Sequence, residues 1–203
     1  MHVRIEHHDR VALLELNRAE RRNAIGPAMA GEIASATRSL NSDERVGAVV
    51  LAGAGPSFCA GADMKERLTG PAGSAAVFAA VRGASWAVHD ISVPVVAAIH
   101  GHALGAGLEL AAMCDYRIAE QDALLGLPEV RQGITSGGGL LALASLMARG
   151  ALSRLAFSGR AEDAAGAKDL GIVDEVVHAG QARAAALSIA EEFAAHPRAA
   201  LIA

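Results

Sequence analysis

Short apolar runs alternate with stretches in which apolar residues recur every three or four positions, and this alternation sets the first reading of the chain. Residues 3–6 and 11–16 read as strands joined by the polar turn His7-His8-Asp9-Arg10. After a turn containing asparagine, Pro27 opens a helix to about residue 40, with Met29, Ile33, Ala36 and Leu40 on one face. Residues 46–51 and 94–99 are apolar runs of strand length, the pattern of buried strands. Further strands are expected over 117–119, 124–127 and 172–177. Helices are expected over 75–91, 105–113, 140–148, 162–170 and 181–194. Strand and helix alternate along the whole length, so the fold class is α/β, with helices packed on sheet.

No linker, low-complexity stretch or clear repeat interrupts the 203 residues, a length that suits one domain with a sizeable core. Apolar residues make up 52% of the chain but aromatics only 3%, so the expected core is one of small, closely packed side chains. The net charge of -4 gives no basic footprint for a nucleic-acid partner. No apolar run approaches the roughly 20 residues of a membrane span, and the polar start MHVRIEHHDR lacks the apolar region of a signal peptide. The expected location is cytoplasmic. Cys59 and Cys114 are too few for a disulfide framework and read as small buried hydrophobes rather than as nucleophiles.

Three segments, residues 49–65, 95–113 and 124–148, share one design: a strand, a glycine-containing turn, then a helix. Amides at such turns and helix starts are donors without an intrahelical acceptor, suited to an oxygen that gains negative charge. Two of these segments carry an acid beside the glycines, Glu109 in GHALGAGLEL and Glu129 in GLPEVRQGITSGGG. Brought together, one carboxylate could handle a water and the other a proton, the equipment for adding water across an activated double bond. Taken singly, Glu109 also reads as a buried acid paired structurally, and Glu129 as a first-turn glutamate after Pro128.

Other motifs fail on inspection. GAGLEL places Leu110 where a dinucleotide fingerprint needs its third glycine, and no glycine-lysine-serine/threonine forms a P-loop. ITSGGG is not a nucleophile elbow, and Ser136 reads as a turn or cap residue. His100 and His102 could share a strand face, but with no third ligand at typical spacing they read as turn residues making local hydrogen bonds, and no metal is expected.

Taken in order, FCAGADMKE, IHGHALGAGLELAAMCDYRIA and LGLPEVRQGITSGGG resemble the enoyl-CoA hydratase/isomerase, or crotonase, family. LNRAERRNAIGPAM looks like the family's N-terminal signature and KDLGIVDEVV like its late segment, so the resemblance spans essentially the whole chain. Ala19 and Ser136 stand where prolines are usual.

The resemblance implies a crotonase-like spiral of strand-strand-helix units forming a single core domain over residues 1–203, and an acyl-CoA thioester as substrate. It implies that the backbone N–H groups of Ala62 and Ala106 hold the thioester oxygen. Glu109 would activate water, Glu129 would deliver a proton to the α-carbon, and the Gly137 amide would contact the water. Arg21, Arg22, Lys65 and Arg67 become candidate partners for the CoA phosphates. Ala60 and Asp63 fall on the expected adenine and pantetheine path, and Asp63 is also a candidate helix cap. No cofactor is expected beyond the coenzyme A of the substrate.

The implied activity is hydration of trans-2-enoyl-CoA to 3-hydroxyacyl-CoA, as in β-oxidation of fatty acids. Isomerisation or another acyl-CoA reaction of the family is one alternative, and a non-catalytic acyl-CoA-binding protein is another. The chain ends where the family's last helices would follow, so that helical part is expected to be largely absent. The resemblance also implies a homotrimer or a dimer of trimers. A mobile loop is expected in ERLTGPAGSAAVF before the following helix.

Overall fold

The structure, a computed structural model, describes residues 1–67, 71–135 and 139–202. Strands β1 (Val3–His8) and β2 (Val11–Leu16) pair as an antiparallel hairpin. Beside β2 run β3 (Ala48–Gly53), β4 (Val95–Ile99), β6 (Tyr116–Glu120) and β9 (Glu175–Val177), all parallel, completing a six-stranded sheet in the order β1-β2-β3-β4-β6-β9. A smaller sheet holds β5 (His102–Leu104), β7 (Leu124–Gly126) and β8 (Ala161–Asp163). A bridge between Cys59 and Ala103 adds residue 59 to its edge.

Each turn of chain gives a strand to the large sheet, then a short stretch to the small one, then a helix. After β3 come Cys59 and the helices α2 (Met64–Arg67) and α3 (Pro71–His89). After β4 come β5 and α4 (Ala106–Ala112), and after β6 come β7, a 3-10 turn (Pro128–Gln132) and α5 (Leu140–Leu146). This is the expected spiral of strand-strand-helix units. The turns share a hydrophobic pattern and glycine placement rather than residues, so no repeat is legible in the sequence.

The inner strands β2, β3 and β4 of the large sheet are buried on both faces, which explains their apolar runs. Leu14, Leu16, Val49, Leu51, Ala97 and Ile99 face a core shared with α1 (Pro27–Ser42), α3 and α4. Leu13, Val50, Ala52, Val96 and Ala98 face α8 (Ala182–Ala194), which presents Ala182, Ala186, Ala190 and Ala194 at every fourth position. The methyl-sized stripe lets the helix lie close on the alanines of the sheet, the small-residue packing expected from composition.

Some elements differ from the sequence reading. Helix α6 (Arg149–Ser158) was not expected, because only Leu155 in it is buried and Phe157 is 79% exposed, leaving no apolar stripe to read. The helix expected over 162–170 is split between β8 and α7 (Ala164–Asp169), with Asp163 capping the Gly166 amide. β5 contributes just Ala103 to the core, too little pattern to mark a strand. The loop expected in residues 66–78 is instead helical at both ends, in α2 through Arg67 and in α3 from Pro71, and its remaining residues 68–70 lie outside the described residues.

Two buried side chains in the connections hold the segment that leads to the site. Asn23, in the left-handed region at φ 56, donates from Nδ2 to the carbonyls of Ala54, Ser57 and Phe58 at 2.9, 2.8 and 3.1 Å. Its Oδ1 accepts from the Arg18 amide at 2.8 Å. One side chain thus pins the loop after β3 to the turn after β2. Asp63, 1% exposed, accepts from Arg18 Nη1 at 2.9 Å and Arg21 Nη2 at 3.0 Å, and from the Lys65 amide at 2.9 Å. Burial pushes its carboxyl upward, but the Lys65 and Glu66 amides and the Arg21 guanidinium outweigh that and hold it below the usual aspartate value.

Asn23→Ala should lower unfolding stability in urea by about 2–3 kcal/mol, because buried carbonyls and an amide lose their partner. An unchanged midpoint would contradict the pinning role. For Asp63 the folded state favours the ionised form, so its contribution is present above the unfolded aspartate value of about 3.9 and fades as pH falls through the lower folded value. The stability gap between wild type and Asp63→Asn should therefore be largest near neutral pH and shrink in acid. A gap independent of pH would rule out the ionised pairing.

Candidate active site

Gly61 and Gly105 decide where the two candidate amides point. Ile25 forms a parallel bridge with Ala62, donating to the Gly61 carbonyl at 2.8 Å, while the Asp63 amide donates to the Ile25 carbonyl at 2.8 Å. In a parallel bridge the residue between those two contacts turns its own N–H away from the partner, so the Ala62 amide faces the opposite side. Gly61 has φ 103, and a Cβ there would stand 2.8 Å from the Leu104 carbonyl oxygen and 3.6 Å from the Ala106 nitrogen. The Ala62 segment and the start of α4 are therefore in backbone-to-backbone contact.

Gly105 precedes α4 at φ 54, a conformation that favours glycine. Its carbonyl accepts from Glu109 at 3.0 Å, closing the first helical turn, and Ala106 is the first residue of the helix. An amide in that position has no intrahelical acceptor. Among the described residues, neither the Ala62 nor the Ala106 amide has a backbone acceptor. Gly107 completes the close approach, since a Cβ there would lie 2.2 Å from the Cys59 carbonyl oxygen.

The two glutamates converge on this helix start. Glu109, one turn into α4, is 2% exposed, and a Cβ on Gly139 would lie 2.1 Å from its Cβ. The last glycine of ITSGGG therefore packs directly on the Glu109 side chain. Glu129 stands on the 3-10 turn, with Oε1 2.5 Å from where a Gly105 Cβ would be, so its carboxylate lies over the residue before Ala106. Both glutamates and both alanines line one cavity of 580 Å³, whose wall also includes Phe78, Val81 and Arg82 of α3. Its size is that of a small-molecule site.

Ala60 and Met64 also line this cavity. The Ala60 amide donates to the Arg22 carbonyl at 2.9 Å. The side chains of Arg22 and Lys65 are exposed, whereas Arg21 is paired with the Asp63 carboxylate that caps α2. Gly137 and the Arg67 side chain lie outside the described residues.

The other candidates have local roles. His100 Nε2 meets the Gly55 carbonyl at 2.9 Å, and His102 Nδ1 meets Ser57 Oγ at 3.1 Å, so the two rings serve different partners. Burial pushes the Cys59 thiol up to about 12, against a weaker downward pull from the Gly61 amide, and burial also raises Cys114. Neither thiol is a nucleophile at neutral pH. Sequence reasoning missed Arg18, Asn23, Arg82 and the packing role of Gly139. The position of Asn23 inside LNRAERRNAIGPAM was the one available signal, since asparagine tolerates the left-handed region.

Comparison with known proteins agrees with this geometry. The enoyl-CoA hydratase/isomerase family model matches residues 6–203. The chain is 37% identical over 204 residues to the probable enoyl-CoA hydratase echA8 of Mycobacterium tuberculosis, covering 97% of this chain and 78% of that protein. It is 37% identical over 191 residues to a probable enoyl-CoA hydratase of Rhizobium meliloti, covering 94% and 74%. Among solved structures, the enoyl-CoA hydratase from Bacillus anthracis superposes with a TM-score of 0.95 at 33% identity, covering 99% of this chain and 80% of that one. Pseudomonas aeruginosa DspI superposes with a TM-score of 0.94 at 33% identity, covering 98% and 77%. With its paired amides, its two cavity carboxylates and a family match from residue 6 to residue 203, the chain belongs to the enoyl-CoA hydratase/isomerase family.

Proposed function

We propose that the protein is an enoyl-CoA hydratase, adding water to a trans-2-enoyl-CoA thioester to give the 3-hydroxyacyl-CoA. One observation carries the reading. Two amides without backbone acceptors among the described residues, at Ala62 and Ala106, border the same cavity as two carboxylates on separate elements, Glu109 and Glu129.

In this reading the thioester oxygen accepts from both amides, which draws electron density from the double bond and makes the β-carbon electrophilic. A water loses a proton to Glu109 as its oxygen bonds to the β-carbon. Glu129 passes a proton to the α-carbon as the enolate-like oxygen returns to a carbonyl. The sum is one water added, with hydroxyl on the β-carbon and hydrogen on the α-carbon. The carboxylates need not move far, because Gly105 and Gly139 let both side chains lie against the backbone around α4.

The reading calls for no cofactor beyond the coenzyme A of the substrate. It treats residues 1–203 as one core domain, with Gly137 beside the water and with Arg22 and Lys65 available to the CoA phosphates. A trimeric assembly and a cytoplasmic place in β-oxidation belong to the same proposal. Among the described residues, no helix is long and apolar enough to cross a membrane.

The test is hydration of crotonyl-CoA, followed as loss of the conjugated enoyl absorbance. Glu109→Gln and Glu129→Gln should each lower kcat by about 10²–10⁴-fold, the usual range for a lost acid or base. Binding of butyryl-CoA should stay within a few-fold of wild type. Undiminished turnover in either variant would remove that carboxylate from the mechanism, and thioester binding without turnover by wild type would favour a binding protein.

A further inference from the structure

Arg82 is the one basic residue among the described residues lining the cavity, and neither the amides nor the carboxylates of the proposed hydration step require it. It lies on α3 with Ala75, Phe78 and Ala79, at positions seven, four and three residues earlier, so these four form one helical face along the cavity wall. The face is apolar up to Arg82. An acyl chain in the cavity would meet a wall of alanine and phenylalanine that also carries a guanidinium.

The surroundings leave that guanidinium uncommitted. Among the described residues, Arg82 forms no hydrogen bond or ion pair. No acid stands three or four residues away on α3, where Phe78, Ala79, Ser85 and Trp86 occupy those positions. The second cavity, of 380 Å³ on the α8 side of the sheet, contains Arg4 and Arg183, but Glu15 pairs with both. Arg117 is likewise paired with Asp174. On the β2–α1 turn, Arg18 and Arg21 are bound to Asp63.

A purely hydrocarbon acyl group would cover part of the guanidinium and strip water from it with no compensation, which costs free energy. A carboxylate at the far end of the acyl group would compensate with charge-assisted, bidentate hydrogen bonds. It would also face a cation where the other cavity charges, Glu109 and Glu129, are acidic. We propose that Arg82 makes this cavity selective for acyl-CoA thioesters whose acyl chain ends in a carboxylate. The inference rests on the acyl-CoA reading of the cavity and adds the class of acyl group to it.

An anion at Arg82 could instead be a CoA phosphate, and matched substrates separate the two sources. The measurement compares kcat/KM for trans-2-hexenoyl-CoA and trans-2-hexenedioyl-CoA, and Kd for the saturated pair hexanoyl-CoA and adipoyl-CoA, in wild type, Arg82→Gln and Arg82→Ala. Shorter and longer pairs extend the series. The exposed position of Arg82 makes both variants safe for folding. The expected result is a preference for the carboxylated member in wild type that falls about five- to tenfold in both variants and weakens with added salt.

An equal loss for both members of every pair would assign Arg82 to the coenzyme and overturn the proposal. No change in any pair would make Arg82 a solvated surface residue and also overturn it. Failure of the hydratase reading is distinct. Wild type would then turn over neither enoyl substrate, while the Kd ratio of the saturated pair would still depend on Arg82.

Discussion

The backbone contact between residues 59–61 and the first turn of α4 is the constraint on which the site depends. A side chain at Gly107 would strike the Cys59 carbonyl at 2.2 Å, and one at Gly61 would crowd the Leu104 carbonyl at 2.8 Å. With both positions lacking a Cβ, two chain segments that follow different strands of the large sheet meet at backbone distance. That meeting places on one cavity two amides that have no backbone acceptor among the described residues. It also sets where Glu109 stands, three residues beyond Ala106. Side-chain contacts could tolerate repacking, but backbone groups separated only by hydrogen cannot.

The rest of the molecule holds this contact in place. Parallel strands bring the ends of β3 and β4 side by side, so the chains leaving them start as neighbours. Asn23 and Asp63 then fix the path after β3 from a different direction, through the turn that follows β2. Both use buried polar groups, which are costly unless fully paired, and both are paired several times. The alanine stripe of α8 closes the far face of the sheet and leaves the cavity face to α3, α4 and the 3-10 turn.

Much of this was legible in the chain itself. Strands such as β3 and β4 announce themselves as uninterrupted apolar runs, and α1 by its spaced apolar face. Glu109 and Glu129 stood out because each is an acid beside glycines, and the structure puts both on one cavity. What stayed hidden depended on contacts between distant residues. Arg18 gives no signal, and Arg21 reads as a candidate phosphate partner and Asp63 as a helix cap, until the fold buries the aspartate against both guanidinium groups. Gly139 reads as one of three turn glycines until Glu109 is seen against it. Helix α6 could not be read because one buried leucine makes no periodicity. Arg82 interrupts an otherwise apolar helix face, and in sequence that is indistinguishable from a solvated side chain.

The central claim is that the Ala62 and Ala106 amides polarise a thioester carbonyl. Isotope-edited infrared difference spectroscopy of butyryl-CoA, carrying ¹³C at the thioester carbonyl, tests it most directly. Two donors on the oxygen predict that the carbonyl band moves to lower wavenumber on binding, and that the shift persists in Glu109→Gln. A band that binds to the protein yet stays at its position in water would contradict the account.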